Sequence, residues 1–225
     1  LSYLIAVLGS YVALECTVRI PQSSGGAHLG YVYAGAVALG GVAIWSMHFI
    51  GMTALNTAID IEYQVLPTVI SLIAAIVVSA LALWFVGSGR FTTGKLLVSG
   101  VLTGLGVAVM HYLGMMAMQM GATLRWDGTI IAISVVIAVV AATVALWLAF
   151  NLRHSWQRSI AALVMGAAVC GMHYTGMAAG TLVCADPPVL PGSAIGGQDL
   201  SIVVFVIALM ILGAIVVYTI LNWES

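Results

Sequence analysis

Charge is what this sequence most lacks. Of 225 residues, 6% are charged, six Lys or Arg and seven Asp or Glu, while 63% are hydrophobic. A domain surrounded by water carries roughly a quarter charged residues. A soluble fold is therefore excluded and an integral membrane protein implied, in line with the mean hydropathy of +1.18. The net charge of −1 offers no basic surface, which excludes nucleic acid and acidic partners. Cysteine is scarce. Cys16, Cys170 and Cys184 show no metal-motif spacing and leave at least one thiol unpaired. The apolar runs lack the alternation of a membrane β-barrel, so strands are excluded as spanning elements. Leu1 is not an initiator residue, and the chain is expected to be a processed or cut piece. No small-residue cleavage site follows the first apolar run, which reads as a span rather than a signal peptide.

What the chain does have is apolar length. A helix crossing the hydrocarbon core needs roughly 20 mainly apolar residues, and seven stretches qualify: about 1–20, 29–55, 66–87, 94–120, 129–150, 157–183 and 199–222. The expected fold is an all-α, seven-transmembrane helix bundle. Its joints alternate in charge. Arg19 and His28 follow the first helix, Arg90 and Lys95 the third, and Arg153, His154 and Arg158 the fifth. The opposite joints hold Asp60, Glu62, Asp127, Asp186 and Asp199, with Arg125 the one base. The positive-inside rule makes the basic side cytoplasmic, with the N-terminus outside and the C-terminus inside. Trp45, Trp126, Trp156 and Trp223 fall near the boundaries, where aromatic belts are expected.

One pattern recurs three times. Met47-His48-Phe49-Ile50-Gly51-Met52, Met110-His111-Tyr112-Leu113-Gly114-Met115 and Met172-His173-Tyr174-Thr175-Gly176-Met177 share Met-His-aromatic-x-Gly-Met. The near-equal spacing of the histidines marks equivalent places in repeated units: three helix pairs, each a plain helix going in and a hexamer-bearing helix coming out, plus a closing helix. Each histidine precedes the expected end of its helix by about 7 to 10 residues, or roughly 10–15 Å at 1.5 Å per residue. All three then lie in the outer part of the membrane. The outer joints are short except Ala185 to Gln198, whose Pro and Gly content suits a lid.

Successive helical residues turn about 100°, which places His48 and Met52 about 40° apart. They address one point, as do His111 with Met115 and His173 with Met177. Met47, Met110 and Met172 lie about 100° away and are secondary ligands at best. Gly51, Gly114 and Gly176 remove a side chain at the contact face, so helices can approach closely. Imidazole suits copper, zinc, iron and nickel, and thioether is a soft donor favouring Cu(I). Without carboxylate or thiolate the set points to copper. Haem is the rival, through His/His or His/Met axial ligation, although three hexamers exceed its two axial positions. A proton relay leaves the methionines without a task. A lone histidine here is often a packing residue and methionine often core filler. Three copies in register, each with Met at −1 and +4, argue otherwise.

The hexamers, with Ile44-Trp45-Ser46, Gly106-Val107-Ala108-Val109 and Val169-Cys170-Gly171 before them and Ser10-Tyr11-Val12-Ala13-Leu14 near the start, resemble the MHYT sensor domain of bacteria. The resemblance covers nearly the whole chain, residues 1–225 as one domain. It implies a seven-helix module of the bacterial inner membrane that binds copper and senses O2, CO or NO. It also implies that the module signals to a fused cytoplasmic output domain, such as a cyclic di-GMP GGDEF/EAL module, which these residues do not contain. On this reading the domain is sensory and not an enzyme, and a homodimer is possible because such outputs pair. Phe49 departs from the pattern and removes one hydroxyl.

Other residues are expected to be structural. Glu15 and Arg19 are spaced for a local ion pair. Cys170, three residues before His173, is expected to be inert, and His28 and His154 solvated. Tyr112 and Tyr174 are expected to hydrogen-bond around the site. The alternative from another class is a copper or proton transporter or channel, which needs sites through the whole thickness. The inner half of the helices shows almost no Met or His, and Met116, Met118 and Met120 extend only the outer end.

Overall fold

A computed structural model describes the chain except residues 22–26, 55–59, 153, 184–191 and 223–225. Arg153, Cys184, Asp186, Trp223 and the first part of the expected lid lie outside the described residues. Of the described residues, 79% are helical. Helix α1 spans Ser2–Thr17, and six longer helices follow: α2 Leu29–Met52, α3 Val65–Gly87, α4 Thr93–Met116, α5 Gly128–Asn151, α6 Ser155–Ala178 and α7 Gly197–Leu221. These six are long and apolar enough to cross a membrane. At 16 residues α1 is shorter, yet it runs antiparallel to α6. Ser2 Oγ lies 3.0 Å from Tyr174 OH at one end, and Arg158 Nε donates to Glu15 Oε1 at 2.7 Å at the other.

Local chemistry sets the helix starts. The Thr92 hydroxyl accepts from Lys95 N at 3.3 Å, and Asp127 Oδ1 accepts from the Thr129 and Ile130 amides at 2.8 and 3.2 Å. Both occupy the N-cap, where a side-chain oxygen takes up amides that have no partner within the helix. Gly89, at φ +68°, supplies the left-handed residue for the turn from α3 to α4.

Two features differ from the expectation. Helices α2, α4 and α6 stop at Met52, Met116 and Ala178, earlier than hydropathy suggests. The residues beyond pair as short strands: β1 Glu62–Gln64, β2 Met118–Gln119, β3 Thr123–Trp126, β4 Gly180–Val183 and β5 Ala194–Gly196. Strand β1 lies between β2 and β5, with Tyr63 opposite both Met118 and Ile195, and β3 pairs with β4. Backbone amides and carbonyls leaving a helix need partners, and here the hexamer-side loops supply one another. The fold is therefore helical with a small β cap. Part of the expected lid, Ala194–Gly196, is one of its strands.

The second difference is inside α2, where Val37–Ser46 is a π-helix. The Ser46 hydroxyl donates to Gly41 O, five residues back, at 2.8 Å. Trp45, expected at a membrane boundary, is buried and donates its indole N–H to Ser71 Oγ at 2.9 Å. Of the remaining tryptophans, Trp156 is exposed at the start of α6 and Trp126 lies on β3. Glu15 does pair with Arg19, at 3.5 Å, but its closer partner is Arg158 of α6. That contact ties α1 to a hexamer-bearing helix.

Candidate metal centre

His48 comes four residues before the end of its helix, and His111 and His173 five before theirs. That is roughly 6–8 Å of rise, shorter than expected, because the cap strands take over the last apolar residues. The histidines therefore lie directly beneath the β cap. Tyr63 of β1 packs its ring edge-on against Phe49, the residue after His48, at 5.3 Å. Burial raises the pKa of the Tyr63 phenol above its ordinary value.

The three histidines meet. Each is 1% exposed, and His48 Nδ1 lies 3.1 Å from Nδ1 of both His111 and His173. One ligand atom from each ring falls within 4.8 Å of the others, an arrangement able to hold a metal ion. The rings stand edge to face, with centroids 4.9, 4.9 and 5.2 Å apart. A neutral imidazole carries one N–H. The His48 Nδ1–H can therefore serve one neighbour at most, and the second 3.1 Å contact sets nitrogen against nitrogen.

Each ring is backed by a glycine of another hexamer. A Cβ added at Gly51 would lie 2.6 Å from His173 Nε2. Added at Gly114 it would meet His48 Nε2, and at Gly176 His111 Nε2, both closer still. The order is cyclic: α2 backs the ring from α6, α4 the ring from α2, and α6 the ring from α4. None of the three Nε2 atoms has a hydrogen-bond partner among the described residues. Sequence spacing shows a glycine three residues after each histidine but cannot show which ring it faces.

The methionines divide. Met52 and Met115 are buried and Met177 is partly buried. The Met115 methyl lies over Gly180 at the start of β4. Met47, Met110 and Met172 are also buried, and Met172 packs with Ala108 and Ala138. Met116 is exposed, Met118 lies on β2 and Met120 is buried, so these three do not continue one helix face. Cys170 is half-buried and stands outside the histidine group.

The aromatic after each histidine packs edge-on against that histidine's ring, at 4.7, 5.0 and 4.9 Å for Phe49, Tyr112 and Tyr174. Tyr112 OH lies 2.6 Å from Ser134 Oγ on α5, and Tyr174 OH reaches Ser2 on α1. Phe49 is enclosed by Trp45 and Tyr63. Ser134, Ser2 and Tyr63 escape a reading by motif, since each sits on a different helix or strand. His154 is exposed at the α6 N-cap. His28 is not simply solvated: its ring packs against Tyr31, tilted by 55° with centroids 4.7 Å apart.

A family model described as MHYT, bacterial signalling protein N terminal repeat, matches residues 41–99 and 104–162. Both matches begin inside a hexamer-bearing helix, seven residues before its histidine, and run through the following helix. Among curated proteins, the bifunctional diguanylate cyclase/cyclic di-GMP phosphodiesterase MucR of Pseudomonas aeruginosa is 38% identical over 226 residues, 98% of this chain and 33% of its own length. The signaling protein YkoW of Bacillus subtilis is 34% identical over 188 residues, 80% of this chain and 23% of its own. The cyclic di-GMP phosphodiesterase NbdA of P. aeruginosa is 36% identical over 185 residues, again 80% and 23%. The chain thus spans a third or less of the curated relatives it matches. No solved structure matches it.

Proposed function

This chain belongs to the MHYT family of bacterial signalling proteins, and from that membership we propose that it is the membrane sensory part of a signalling protein, reading its signal at a metal centre held by His48, His111 and His173. The observation that carries the reading is the convergence of three buried imidazole nitrogens, two of them 3.1 Å from the third. Two atoms bound to one ion at about 2.0–2.1 Å lie no more than about 4 Å apart, so the pairs on His48 suit a shared ion. Such an ion also removes the nitrogen-against-nitrogen contact that one N–H per ring leaves.

Copper is the metal this donor set favours, since the imidazoles come from hexamers that also carry buried methionines and neither carboxylate nor thiolate joins the group. Met52, Met115 and Met177 are the proposed thioether partners, with Met47, Met110 and Met172 secondary. When bound, copper supplies a redox-active centre with affinity for diatomic gases such as O2, CO or NO. The chain's own residues exclude bulk water, fix the rings and tie the centre to three helices. The edge-to-face contact of the imidazoles leaves no slot between them for a porphyrin, which counts against haem. The gathering of all three histidines at one level counts against a conduction path.

The six apolar helices and the family make this a multi-pass membrane protein. We place it in the inner membrane with α1 as a seventh crossing. Its antiparallel run along α6, from the level of Tyr174 to that of Arg158, supports that count. The names of MucR and NbdA motivate an output in cyclic di-GMP turnover. Signalling through α7 to a cytoplasmic output domain follows from that reading, and the sensory part itself is not proposed to be an enzyme.

The test is elemental analysis and an absorption spectrum of the purified protein. Wild type is expected to retain copper without an intense Soret band, and replacement of all three histidines by Ala to abolish retention. Stoichiometric copper in the triple variant would overturn the assignment.

A further inference from the structure

We infer that Gly51, Gly114 and Gly176 are positioning residues forming a closed ring of seats, each holding the imidazole of a different hexamer so that Nδ1, not Nε2, faces the centre. The inference rests on the metal-centre reading for its consequence, and on geometry alone for its existence.

The geometry has three parts. All the short contacts between histidines run through Nδ1. All three Nε2 atoms lie on the glycine positions: His173 on Gly51, His48 on Gly114 and His111 on Gly176. Those glycines are themselves buried, so a ring seated there has no solvent to swing into. An imidazole offers either nitrogen to a metal, and what its other edge touches decides which. Here the other edge touches a helix backbone stripped of its Cβ. An alanine Cβ would come within 3.0 Å of the ring in all three seats, a separation real Cβ atoms essentially never show. Closely packed interiors do not absorb such an overlap without movement.

The cyclic order makes this more than three separate fits. Each hexamer-bearing helix contributes one histidine and the seat of a second. Moving α6 carries His173 with it and withdraws Gly176 from His111. Moving α4 carries His111 and withdraws Gly114 from His48. A shift of any one helix therefore disturbs two of the three rings, and occupation of the centre fixes all three helices against one another. Independent motif packing would confine the disturbance to one ring. This supplies the differential contact that any coupling between a ligand and a helix movement requires.

The test uses the full chain in lipid nanodiscs and has two arms. Without metal, thermal unfolding is measured for Gly114→Ala alone and combined with His48→Ala or His111→Ala. Gly114→Ala is expected to lower Tm by about 5 °C. That loss largely disappears in the His48→Ala background and persists in the His111→Ala background, although His111 is the histidine of the same hexamer. Additivity with both, or relief by His111→Ala, overturns the seat. Should Gly114→Ala not fold, its recovery by His48→Ala is the same positive result, and failure to recover overturns the proposal. In the second arm, Zn(II) alone is added to protein carrying 15N-labelled histidine. The coordination shift is expected at Nδ1 of all three rings; a shift at Nε2 overturns the orientation. Absence of any metal-dependent shift removes the metal-centre reading, while the first arm still decides the seats.

Discussion

The first hexamer-bearing helix and its two counterparts carry nearly the same six residues and are built differently. In α2, 94% of the most apolar window is buried, against 44% in α4 and in α6. Helix α2 runs through the middle of the molecule, packed on α1, α3 and α7, while the other two show one side to lipid. It alone holds a π-helical stretch, and its histidine makes both 3.1 Å contacts. Repetition in sequence has thus given three histidine positions of unequal standing. One is central and shared, and two are peripheral. π-helical stretches often occur at functional sites, and this one leads directly into Met47 and His48.

Removing the histidines singly is expected to give the largest effects. His48→Ala deletes both short contacts, whereas His111→Ala and His173→Ala each delete one. Loss of a group that merely orients a ligand costs about 10–100-fold in metal affinity. His48→Ala is expected to exceed that range and to weaken copper binding more than either other replacement, as read by competition with a chelator. Equal losses at all three positions would make the centre symmetric and His48 no hub.

The next contrast concerns helix approach. A Cβ at Gly40 of α2 would meet the Ala75 backbone and Ser79 Oγ of α3, while Gly171 of α6 has nothing within 4 Å of its added Cβ. Gly40→Ala is expected to destabilise by about 1–3 kcal/mol through overpacking. Gly171→Ala is expected to be neutral or to stabilise by up to about 1 kcal/mol, since Gly is the weaker helix former. Thermal unfolding of the two variants compares them directly, and equal Tm values would remove the distinction between a packed and an open helix.

The smallest effects concern the aromatic position. Phe49→Tyr would bury a hydroxyl between Trp45 and Tyr63 at a cost of about 1–3 kcal/mol if unpaired. Tyr174→Phe loses an exposed bond to Ser2, expected to change stability by less than about 0.5 kcal/mol. A tolerated Phe49→Tyr would mean that phenylalanine there is not set by its apolar enclosure.

Much of this was legible in the sequence, and the limits have physical causes. Hydropathy located every long helix, because twenty apolar residues have no other stable use in a bilayer. It placed the ends of α2, α4 and α6 beside the β cap too far along; beyond α4 and α6, Met118–Gln119 and Gly180–Val183 are apolar enough to pass for helix while pairing as strands. The i,i+4 rule found Arg19 for Glu15. The closer partner, Arg158, is 143 residues away, and only packing of α1 on α6 brings it near. Trp45 reads as a boundary residue by composition, yet Ser71 on the facing helix takes its indole N–H inside the core.

Residue order alone was enough to indicate a membrane protein, a repeated unit, and three histidines at matching places in it. Residue type and helical period carry that information locally. Only the tertiary structure decided that the nitrogens meeting are Nδ1, that α2 is the central helix, and that each hexamer's glycine serves another hexamer's histidine. A helix of fixed period presents the same face whichever neighbour it receives. Which ring comes to rest on which glycine depends on the order in which three helices close around one point.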